Sequence, residues 1–214
     1  LNDYAQRLRV SQDAEQAPDS PTAAEDYSFT SYDAQGRIIR VGELKNVAIK
    51  FADISEDQLN TIDFPTATDG AYTDVVTTEY NNPGLEDSAF GQENLRGRVS
   101  LTKNEFVTTR YTYDEHGNVK ALQHQVAQLD QRKVRVDYDY DLISGNVREV
   151  AYQAGEIDQF YPRYAYDADN RLTEVHTSDD GVLWERDARY EYYQHGPLAR
   201  IELGADKVQG LDYY

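Results

Sequence analysis

Four histidines are, by residue type, the side chains of this sequence best suited to acid–base chemistry near neutral pH. His116 and His195 each directly precede a glycine, at the same position of two similar segments. A residue that recurs at one turn position is more typical of a turn than of a catalyst. His124 and His176 occupy near-equivalent places after such turns, and nothing resembles a nucleophile elbow. We predict that the protein is not an enzyme and has no catalytic residues; a hydrolase using His124 or His176 is the least favoured alternative.

Three alternating carboxylates, Asp137, Asp139 and Asp141, are a second group with chemical potential. Oxygen ligands suit Ca²⁺, but a usable calcium site needs several of them converging through a loop. On a strand these carboxylates lie two residues apart along one face, beside Arg135, which is typical of a solvated row of charges. The absence of cysteine also excludes a thiolate nucleophile and Cys-based zinc or iron–sulfur sites. We predict no metal site and no cofactor; incidental ion binding is the alternative.

The single tryptophan, Trp184, follows Gly181 by three residues. An exposed indole ring can stack on a sugar, whereas a buried one contributes a large apolar surface to packing. Packing against a sheet is the favoured interpretation. Sugar stacking remains the alternative.

Composition limits the class of protein and its partners. The chain has 214 residues, a net charge of −18 and 18 tyrosines. Tyrosine favours strands and can bury its ring while keeping a polar tip, so a folded, β-rich chain is expected. The negative charge argues against nucleic acid as a partner. No apolar run approaches the ~20 residues of a membrane span. No signal peptide is visible in the sequence and no Met begins it, so we expect a fragment or a processed product whose targeting signals lie elsewhere.

A repeat of about 26 residues organises the C-terminal half. Its second tyrosines are Tyr113, Tyr140, Tyr166 and Tyr192, at spacings of 27, 26 and 26 residues. The four segments read Tyr-Thr-Tyr-Asp-Glu-His-Gly, Tyr-Asp-Tyr-Asp-Leu-Ile-Ser-Gly, Tyr-Ala-Tyr-Asp-Ala-Asp-Asn and Tyr-Glu-Tyr-Tyr-Gln-His-Gly. A fifth copy spans residues 31–38, and a degenerate sixth begins at 79–81 and closes at 96–99 after a long insertion. Four matched copies at near-constant spacing indicate a repeat architecture.

Each copy predicts a strand, a tight turn and a second strand. Before the turn, apolar and polar residues alternate, as in 134–140, where valines and tyrosines share one face and charges the other. Aspartate then opens the turn with an acceptor side chain, and glycine or asparagine takes a position that needs positive φ. The predicted turn motif, a structural site, consists of Tyr32, Asp33, Gly36, Arg37, Tyr113, Asp114, Gly117, Tyr140, Asp141, Gly145, Tyr166, Asp167, Asn170, Arg171, Tyr192 and Gly196.

After the turn, apolar residues recur two and five positions beyond the residue in the glycine position. In the copy with Asn170, these are Leu172 and Val175. A separation of three cannot keep both on one face of a regular strand. The spacing therefore predicts a β-bulge or strong local twist in the second strand. Because a lone hairpin is marginal in water, the units are expected to stack side by side into one continuous curved sheet, an all-β fold.

The remaining segments define the predicted organisation. Residues 1–26 are expected to form an N-terminal strand and an exposed linker with Pro18 and Pro21, and residues 27–214 the repeat array. Ser55 and Gln58 form a capping-box pattern, which predicts a short helix near 55–62. Residues 81–92 are predicted to form a loop insertion. A tolerated loop is the favoured interpretation, and a loop that carries binding function is the alternative.

The motif Tyr-x-Tyr-Asp-x-x-Gly-Arg/Asn-apolar resembles the YD-repeat or RHS-repeat family, most closely the RHS proteins of Bacteroidetes-type bacteria. The matching segments are residues 92–99, 137–145, 195–200 and 208–213, and the resemblance covers most of the chain, weakly before residue 26. It implies a segment of a spiral β-sheet shell, the remainder of which belongs to the same RHS chain. Bacterial members often enclose a C-terminal toxin, and animal relatives act in cell adhesion.

The predicted function is that of a structural shell segment in a large secreted or cell-surface bacterial protein, with a C-terminal toxin encoded beyond this fragment as its cargo. The Asp-Pro pair of the family's autoproteolytic junction is absent from these 214 residues. The alternative is a cell-surface adhesion or glycan-binding protein on the same scaffold, whose glycan or protein receptor would contact the insertion at 81–92 and Trp184.

Overall fold

A computed structural model describes residues 1–17, 24–47, 49–66, 69–82, 88–130 and 132–204, and the backbone of 209–212. Parts of the predicted linker (18–23) and of the predicted insertion (83–87) lie outside the described residues, as do 205–208 and 213–214. The chain divides into two compact units, Leu1–Arg110 with Gln125–Arg132, and Tyr111–His124 with Lys133–Tyr214.

The described residues form strands almost throughout, and the order of the strands in the sheet is the order of the chain. The strands are β1 (Val10–Ser11), β2 (Glu25–Tyr32), β3 (Ile38–Val47), β4 (Ala71–Tyr80), β5 (Val99–Lys103), β6 (Val107–Tyr113), β7 (Val119–Val126), β8 (Lys133–Tyr140), β9 (Val147–Tyr152), β10 (Tyr161–Tyr166), β11 (Leu172–Ser178), β12 (Glu185–Tyr192), β13 (Leu198–Leu203) and β14 (Gln209–Asp212). Each strand for which a pairing is described runs antiparallel to its neighbour in sequence. The predicted all-β class, an array of consecutive hairpins, is confirmed.

Helical structure is confined to one short helix, α1 (Glu56–Asn60), and 3-10 turns at Phe51–Asp53 and Ser88–Phe90 within the described residues. The side chain of Ser55 accepts a hydrogen bond from the backbone N–H of Gln58, and the Gln58 side chain accepts one from the backbone N–H of Ser55. This reciprocal capping box starts the helix. No helix in the described part of the chain has the length and apolar character needed to cross a membrane.

In the first unit, one face of the sheet carries a packed core. Tyr27, Phe29 and Leu44 are almost fully buried and pack with Leu59 of α1 and with Phe64. Because side chains alternate along β2, these core residues lie on the face opposite the repeat tyrosine, Tyr32. Tyr32 therefore does not contribute to this core, whereas Tyr27, which lies outside the repeat motif, does.

Most of the described residues between β1 and β2 are exposed, and Gln16 is a buried exception. Gln16 is buried, and its amide nitrogen donates hydrogen bonds to Ser28 Oγ (2.9 Å) and Glu43 Oε1 (3.2 Å). β2 itself begins at Glu25, inside the predicted linker. The burial of Gln16 depends on polar partners from two strands, which local composition does not reveal.

In the second unit, the two sheet faces differ in chemistry. Register places Tyr164 opposite Val175 and Tyr190 opposite Ile201 on one face. On the other face Asp139 lies opposite Glu149, and cross-strand ion pairs such as Arg163–Glu149 (2.7 Å) are frequent. The alternation predicted for 134–140 follows this division, since Val136 is buried and Asp139 is exposed.

Five hairpins contain the predicted bulge. Ala165 pairs with Glu174, whereas the next residue, Tyr166, pairs with Leu172, so Thr173 is the extra residue. Equivalent register shifts occur immediately before four other repeat tyrosines, at Tyr32, Tyr80, Tyr140 and Tyr192. The three-residue separation between the apolar positions is thus explained, because the bulge returns both to one face.

Candidate functional site: the turn array

The turn between β10 and β11 shows how aspartate organises each hairpin. Asp167 Oδ1 accepts hydrogen bonds from the backbone N–H groups of Asp169 and Arg171, both at 2.9 Å. Asp167 Oδ2 accepts one from Arg171 Nε at 2.7 Å. The backbone closes the turn through Asp167 N–H to Arg171 O at 2.9 Å, and Asn170 has a φ of 61°. One carboxylate thus satisfies two backbone donors and one cation.

The turn at Asp33 has the same three hydrogen bonds to its aspartate side chain. Asp33 Oδ1 accepts from the N–H groups of Gln35 and Arg37, and Asp33 Oδ2 accepts from Arg37 Nε at 2.7 Å. Gly36 takes the positive φ of 79°.

Two further turns use asparagine in the place of arginine. In the first, Asp114 Oδ1 accepts from Gly117 N–H and Asn118 N–H, and Asn118 Nδ2 donates to Asp114 Oδ2 at 2.9 Å. In the second, Asp141 Oδ1 accepts from Ile143 N–H, Ser144 N–H and Ser144 Oγ. This second turn is one residue longer and closes through Asp141 N–H to Asn146 O at 2.8 Å.

These hydrogen bonds lower the pKa of the turn carboxyl groups. For Asp167 the backbone hydrogen bond from Arg171 is the main cause, and for Asp141 it is that from Ser144. Hydrogen bonds to the charged form favour ionisation. The carboxylates are therefore charged structural acceptors at neutral pH.

The turn after Tyr192 departs from the aspartate pattern. Tyr193 stands in the aspartate position, and its N–H donates to Pro197 O at 2.9 Å. Gly196 has a φ of 109°, and the Tyr193 ring stacks on His195 with a centroid separation of 5.3 Å. The backbone turn therefore forms there without a carboxylate.

The repeat tyrosine joins a hairpin to the one before it in five repeats. Its hydroxyl donates to the carbonyl oxygen of the apolar residue that follows the preceding turn. These bonds are Tyr32 to Leu8 (3.0 Å), Tyr80 to Ile38 (2.9 Å), Tyr140 to Val119 (2.9 Å), Tyr166 to Val147 (2.9 Å) and Tyr192 to Leu172 (2.7 Å). Tyr113, the remaining motif tyrosine, ends β6 and is buried. We call the bond between a repeat tyrosine and the preceding hairpin the tyrosine latch.

Turn arginines add a second contact to three of these latches. Each arginine places its guanidinium over the ring of the tyrosine in the following repeat, at a distance at which cation–π attraction operates. The pairs are Arg7 over Tyr32 (4.8 Å), Arg37 over Tyr80 (4.2 Å) and Arg171 over Tyr192 (4.7 Å).

The turn at Asp3 was missed by sequence reasoning. Asp3 Oδ1 accepts from Arg7 N–H, and Asp3 Oδ2 accepts from Arg7 Nε at 2.8 Å. Gln6 takes the positive φ of 60° that glycine or asparagine adopts elsewhere. No tyrosine precedes Asp3, and glutamine does not mark a turn, so the copy is hidden. The spacing Asp-x-x-x-Arg-apolar, ending at Leu8, is the signal that could have revealed it.

The residues considered for catalysis do not converge into one centre. His116 and His195 are exposed at turns, and the pKa of His124 is lowered by burial. His176 lies on β11 with its Nε2 3.9 Å from Glu174. Among the residues that the structure describes, no group of three or more His, Asp or Glu side chains is arranged to hold a metal ion.

The acidic row and the tryptophan are engaged in local contacts. Arg135 pairs with Asp137 at 2.7 Å, and Asp139 pairs with Arg148 at 2.6 Å. The guanidinium of Arg163 lies 3.7 Å from the centroid of the Trp184 ring. One face of the indole therefore packs on an arginine of the sheet.

The fold and the latch define a class of protein: an antiparallel β-hairpin array whose successive hairpins are tied by tyrosine and arginine. At Ile38, Val147 and Leu172 the accepting carbonyl lies beside a bulge, so the latch gives a hydrogen-bond donor to a carbonyl at an interruption of the ladder.

The fold of this chain is similar to parts of several solved structures. The chain is similar to the crystal structure of TcdB2-TccC3 without the hypervariable C-terminal region, with a TM-score of 0.61 and 14% identity over 95% of this chain and 9% of that one. It is also similar to TcdB2-TccC3-TEV (TM-score 0.56, 14% identity, 100% of this chain and 10% of that one). The crystal structure of TcdB2-TccC3-Cdc42 gives a TM-score of 0.55 at 14% identity over 84% and 8%.

At this identity the likeness concerns the fold. The chain spans about a tenth of the length of these structures. No family model matches the chain, and no curated protein matches it.

Proposed function

We propose that this chain is a structural segment of an RHS or YD-repeat shell, part of a large secreted or surface bacterial protein that encloses a C-terminal toxin encoded outside these residues. The observation that carries the proposal is the tyrosine latch, repeated between successive hairpins at the period of the sequence motif. A hydrogen bond that joins one hairpin to the previous one can recur with every added repeat. It is therefore suited to a shell whose sheet grows by the addition of repeats.

The likeness to the TcdB2-TccC3 structures supports the same proposal. It extends over nearly the whole of this chain but a small part of those proteins. A short stretch of a long repeat array is expected to match in this way. The remainder of the same chain is therefore the first partner that we propose.

The proposal assigns no catalytic activity to this segment. Several of its charged groups have structural partners: turn aspartates such as Asp167 accept from backbone N–H groups, and Arg163 of the sheet face pairs with Glu149 on the neighbouring strand. A hydrolase would need a nucleophile and a base within hydrogen-bond reach of each other. Activity assays on ester, peptide and phosphate substrates are expected to give no turnover that depends on His124 or His176.

The test begins with the complete native chain. Reading the source gene on both sides of these residues is expected to show further Tyr-Asp repeats, followed by an unrelated C-terminal domain. The purified complete protein is then digested with a nonspecific protease, and the survival of that domain is followed by mass spectrometry. An enclosed domain resists digestion until the array is opened by denaturant.

A matched pair of variants sharpens this test. Tyr166→Phe together with Tyr192→Phe removes two latch hydroxyls, and the enclosed domain should become accessible at a lower denaturant concentration. Tyr164→Phe is the control, because no hydrogen bond of the Tyr164 hydroxyl is found among the described residues. A chain without a further domain, or one whose C-terminal domain is digested at the same rate in every state, would contradict the proposal.

The adhesion alternative makes a different prediction. A sorting or anchoring tail without an enclosed domain, together with binding on a glycan array that Trp184→Ala abolishes, would support it. The packing of Trp184 on Arg163 supports a structural role for this ring instead.

A further inference from the structure

The turn arginines form a template for recognising a guanidinium group. At three turns the arginine follows the residue with positive φ, and its Nε donates to Oδ2 of the turn aspartate at 2.7–2.8 Å. The same guanidinium lies 4.2–4.8 Å from the ring centroid of the next repeat tyrosine. One carboxylate oxygen and one aromatic face thus bind each guanidinium.

The turn at Asp141 retains both of these groups but has asparagine in the arginine position. Asn146 directs its amide nitrogen to Asn170 Oδ1 at 3.1 Å, away from the carboxylate. All three hydrogen bonds to the Asp141 side chain end on Oδ1, and among the described residues none ends on Oδ2. The next repeat tyrosine is Tyr166, and no described arginine lies over its ring.

A recess of about 280 Å³ opens at this place within the second unit. It is lined by Asp141, Ser144, Asn146, Arg148, Tyr164, Tyr166, Asp167 and Asn170. Two of its charges are balanced by partners, since Arg148 pairs with Asp139 and Asp167 pairs with Arg171. The charge of Arg148 also lowers the pKa of Asp141. Among the described residues, however, no hydrogen bond or ion pair ends on Asp141 Oδ2, so this oxygen is the acceptor that the recess offers to a cation.

We propose that this recess binds a guanidinium group, from a small guanidinium compound or from an arginine side chain of a polypeptide. The cation donates to Asp141 Oδ2, and its plane covers the ring of Tyr166. The contacts reproduce in trans what Arg7, Arg37 and Arg171 make within the chain. The inference does not depend on the proposed shell function.

The turn at Asp114 provides an internal contrast. It also carries asparagine after its glycine, but Asn118 Nδ2 donates to Asp114 Oδ2 at 2.9 Å. The carboxylate oxygen that an incoming guanidinium needs is already bound there. The same substitution of arginine by asparagine therefore creates a cation site at Asn146 and not at Asn118.

The test uses the 214-residue chain labelled with ¹⁵N and N-acetyl-L-arginine amide at constant ionic strength. The amide signals of Gly145, Asn146 and Asn170 are expected to shift saturably, with a dissociation constant on the order of millimolar. The lysine analogue should bind at least about fivefold more weakly, because it lacks the planar fork. The neutral citrulline analogue should produce no saturable shift.

Two variants separate this site from general surface binding. Asn146→Arg supplies the guanidinium in cis, so it should abolish ligand binding and raise Tm by about 2 °C. Asn118→Arg is the matched control and should leave ligand binding unchanged. If Asn146→Arg impairs folding, Asn146→Lys places a cation in the recess and should weaken binding at least about fivefold.

The source of the ligand is decided by two further probes. Binding of acetyl-Gly-Arg-Gly-amide at least about tenfold tighter than guanidinium chloride supports a polypeptide arginine; equal binding supports a free guanidinium compound. The proposal is overturned if the citrulline analogue shifts the same signals equally, or if Asn146→Arg binds arginine amide as the unmodified chain does.

Discussion

The hydroxyl of Tyr166 donates a hydrogen bond of 2.9 Å to the backbone carbonyl of Val147, a residue 19 positions earlier that belongs to the previous hairpin. Val147 is the first residue of β9 after the turn, and the bulge of that hairpin follows it directly. A bulge interrupts the regular ladder, so a carbonyl oxygen beside it needs a partner from elsewhere. The tyrosine hydroxyl is that partner, and equivalent hydrogen bonds are made by Tyr140 and Tyr192.

Removing the hydroxyl of Tyr166 should weaken the array without changing its packing. Tyr166→Phe keeps the ring but leaves the Val147 carbonyl without this donor, and the free energy of unfolding is expected to fall by about 1 kcal/mol. Tyr164→Phe, two residues away on the same face, should change it by less than about 0.3 kcal/mol. Urea denaturation followed by circular dichroism measures both. Equal losses in the two variants would show that the latch adds no stability.

Arginine at the turn is expected to be irreplaceable by lysine. Arg171 bonds Asp167 through Nε and covers the ring of Tyr192 with the guanidinium plane. Arg171→Lys loses both geometries and should destabilise the chain by about 1 kcal/mol. Arg148→Lys is the control, because the Arg148–Asp139 pair is largely exposed, with side-chain exposures of 63% and 50%, and should cost less than about 0.5 kcal/mol. Thermal and urea melts of the two variants give the comparison.

The turn glycine Gly145 should tolerate asparagine but not valine. Its φ is 74°, and a Cβ atom built there meets no heavy atom within 4 Å. Any loss of stability therefore arises from the backbone conformation and not from crowding. Gly145→Val should lower the free energy of unfolding by about 1–2 kcal/mol, and Gly145→Asn by clearly less, because asparagine adopts this conformation more readily. An unchanged Tm for the valine variant would contradict the role of positive φ in this turn.

Acid should destabilise the chain through its turn aspartates. The backbone hydrogen bond from Arg171 lowers the pKa of Asp167 below its ordinary value of 3.8 in the folded state. A lowered folded-state pKa stabilises the protein above the unfolded-state pKa, and this contribution is lost as the pH falls from about 5 through 3.8 to the folded-state pKa. Asp167→Asn should therefore flatten the dependence of stability on pH in that window.

The control for this prediction is Asp169→Asn in the same turn. The Asp169 side chain is 74% exposed, and it accepts no hydrogen bond from the turn backbone among the described residues. Denaturant melts between pH 7 and pH 2 should give the Asp169→Asn variant the same slope against pH as the unmodified chain. A flattened slope in the Asp169 variant, or a full slope in the Asp167 variant, would refute the assignment.

The sequence by itself determined the local units of this protein. The strands, the turns and the bulge follow from interactions within a few residues: alternation in 134–140, an aspartate acceptor such as Asp167, and a residue such as Asn170 that tolerates positive φ. These preferences act along one strand or one turn, so they can be read from spacing. Repetition of the unit then indicated an all-β array.

Only the tertiary structure decided how one unit meets the next. Tyr166 contacts a carbonyl of the preceding repeat, and Arg171 covers a tyrosine of the following one. The sequence of a single motif does not indicate which atom of a neighbouring repeat will be contacted. The turn at Asp3 stayed hidden because Gln6, a residue type that does not favour positive φ, takes the place of glycine or asparagine there. The core around Phe29 lies on the face opposite Tyr32, because a segment distant along the chain covers that face. Such choices depend on which surfaces come together in space, which local preference does not specify.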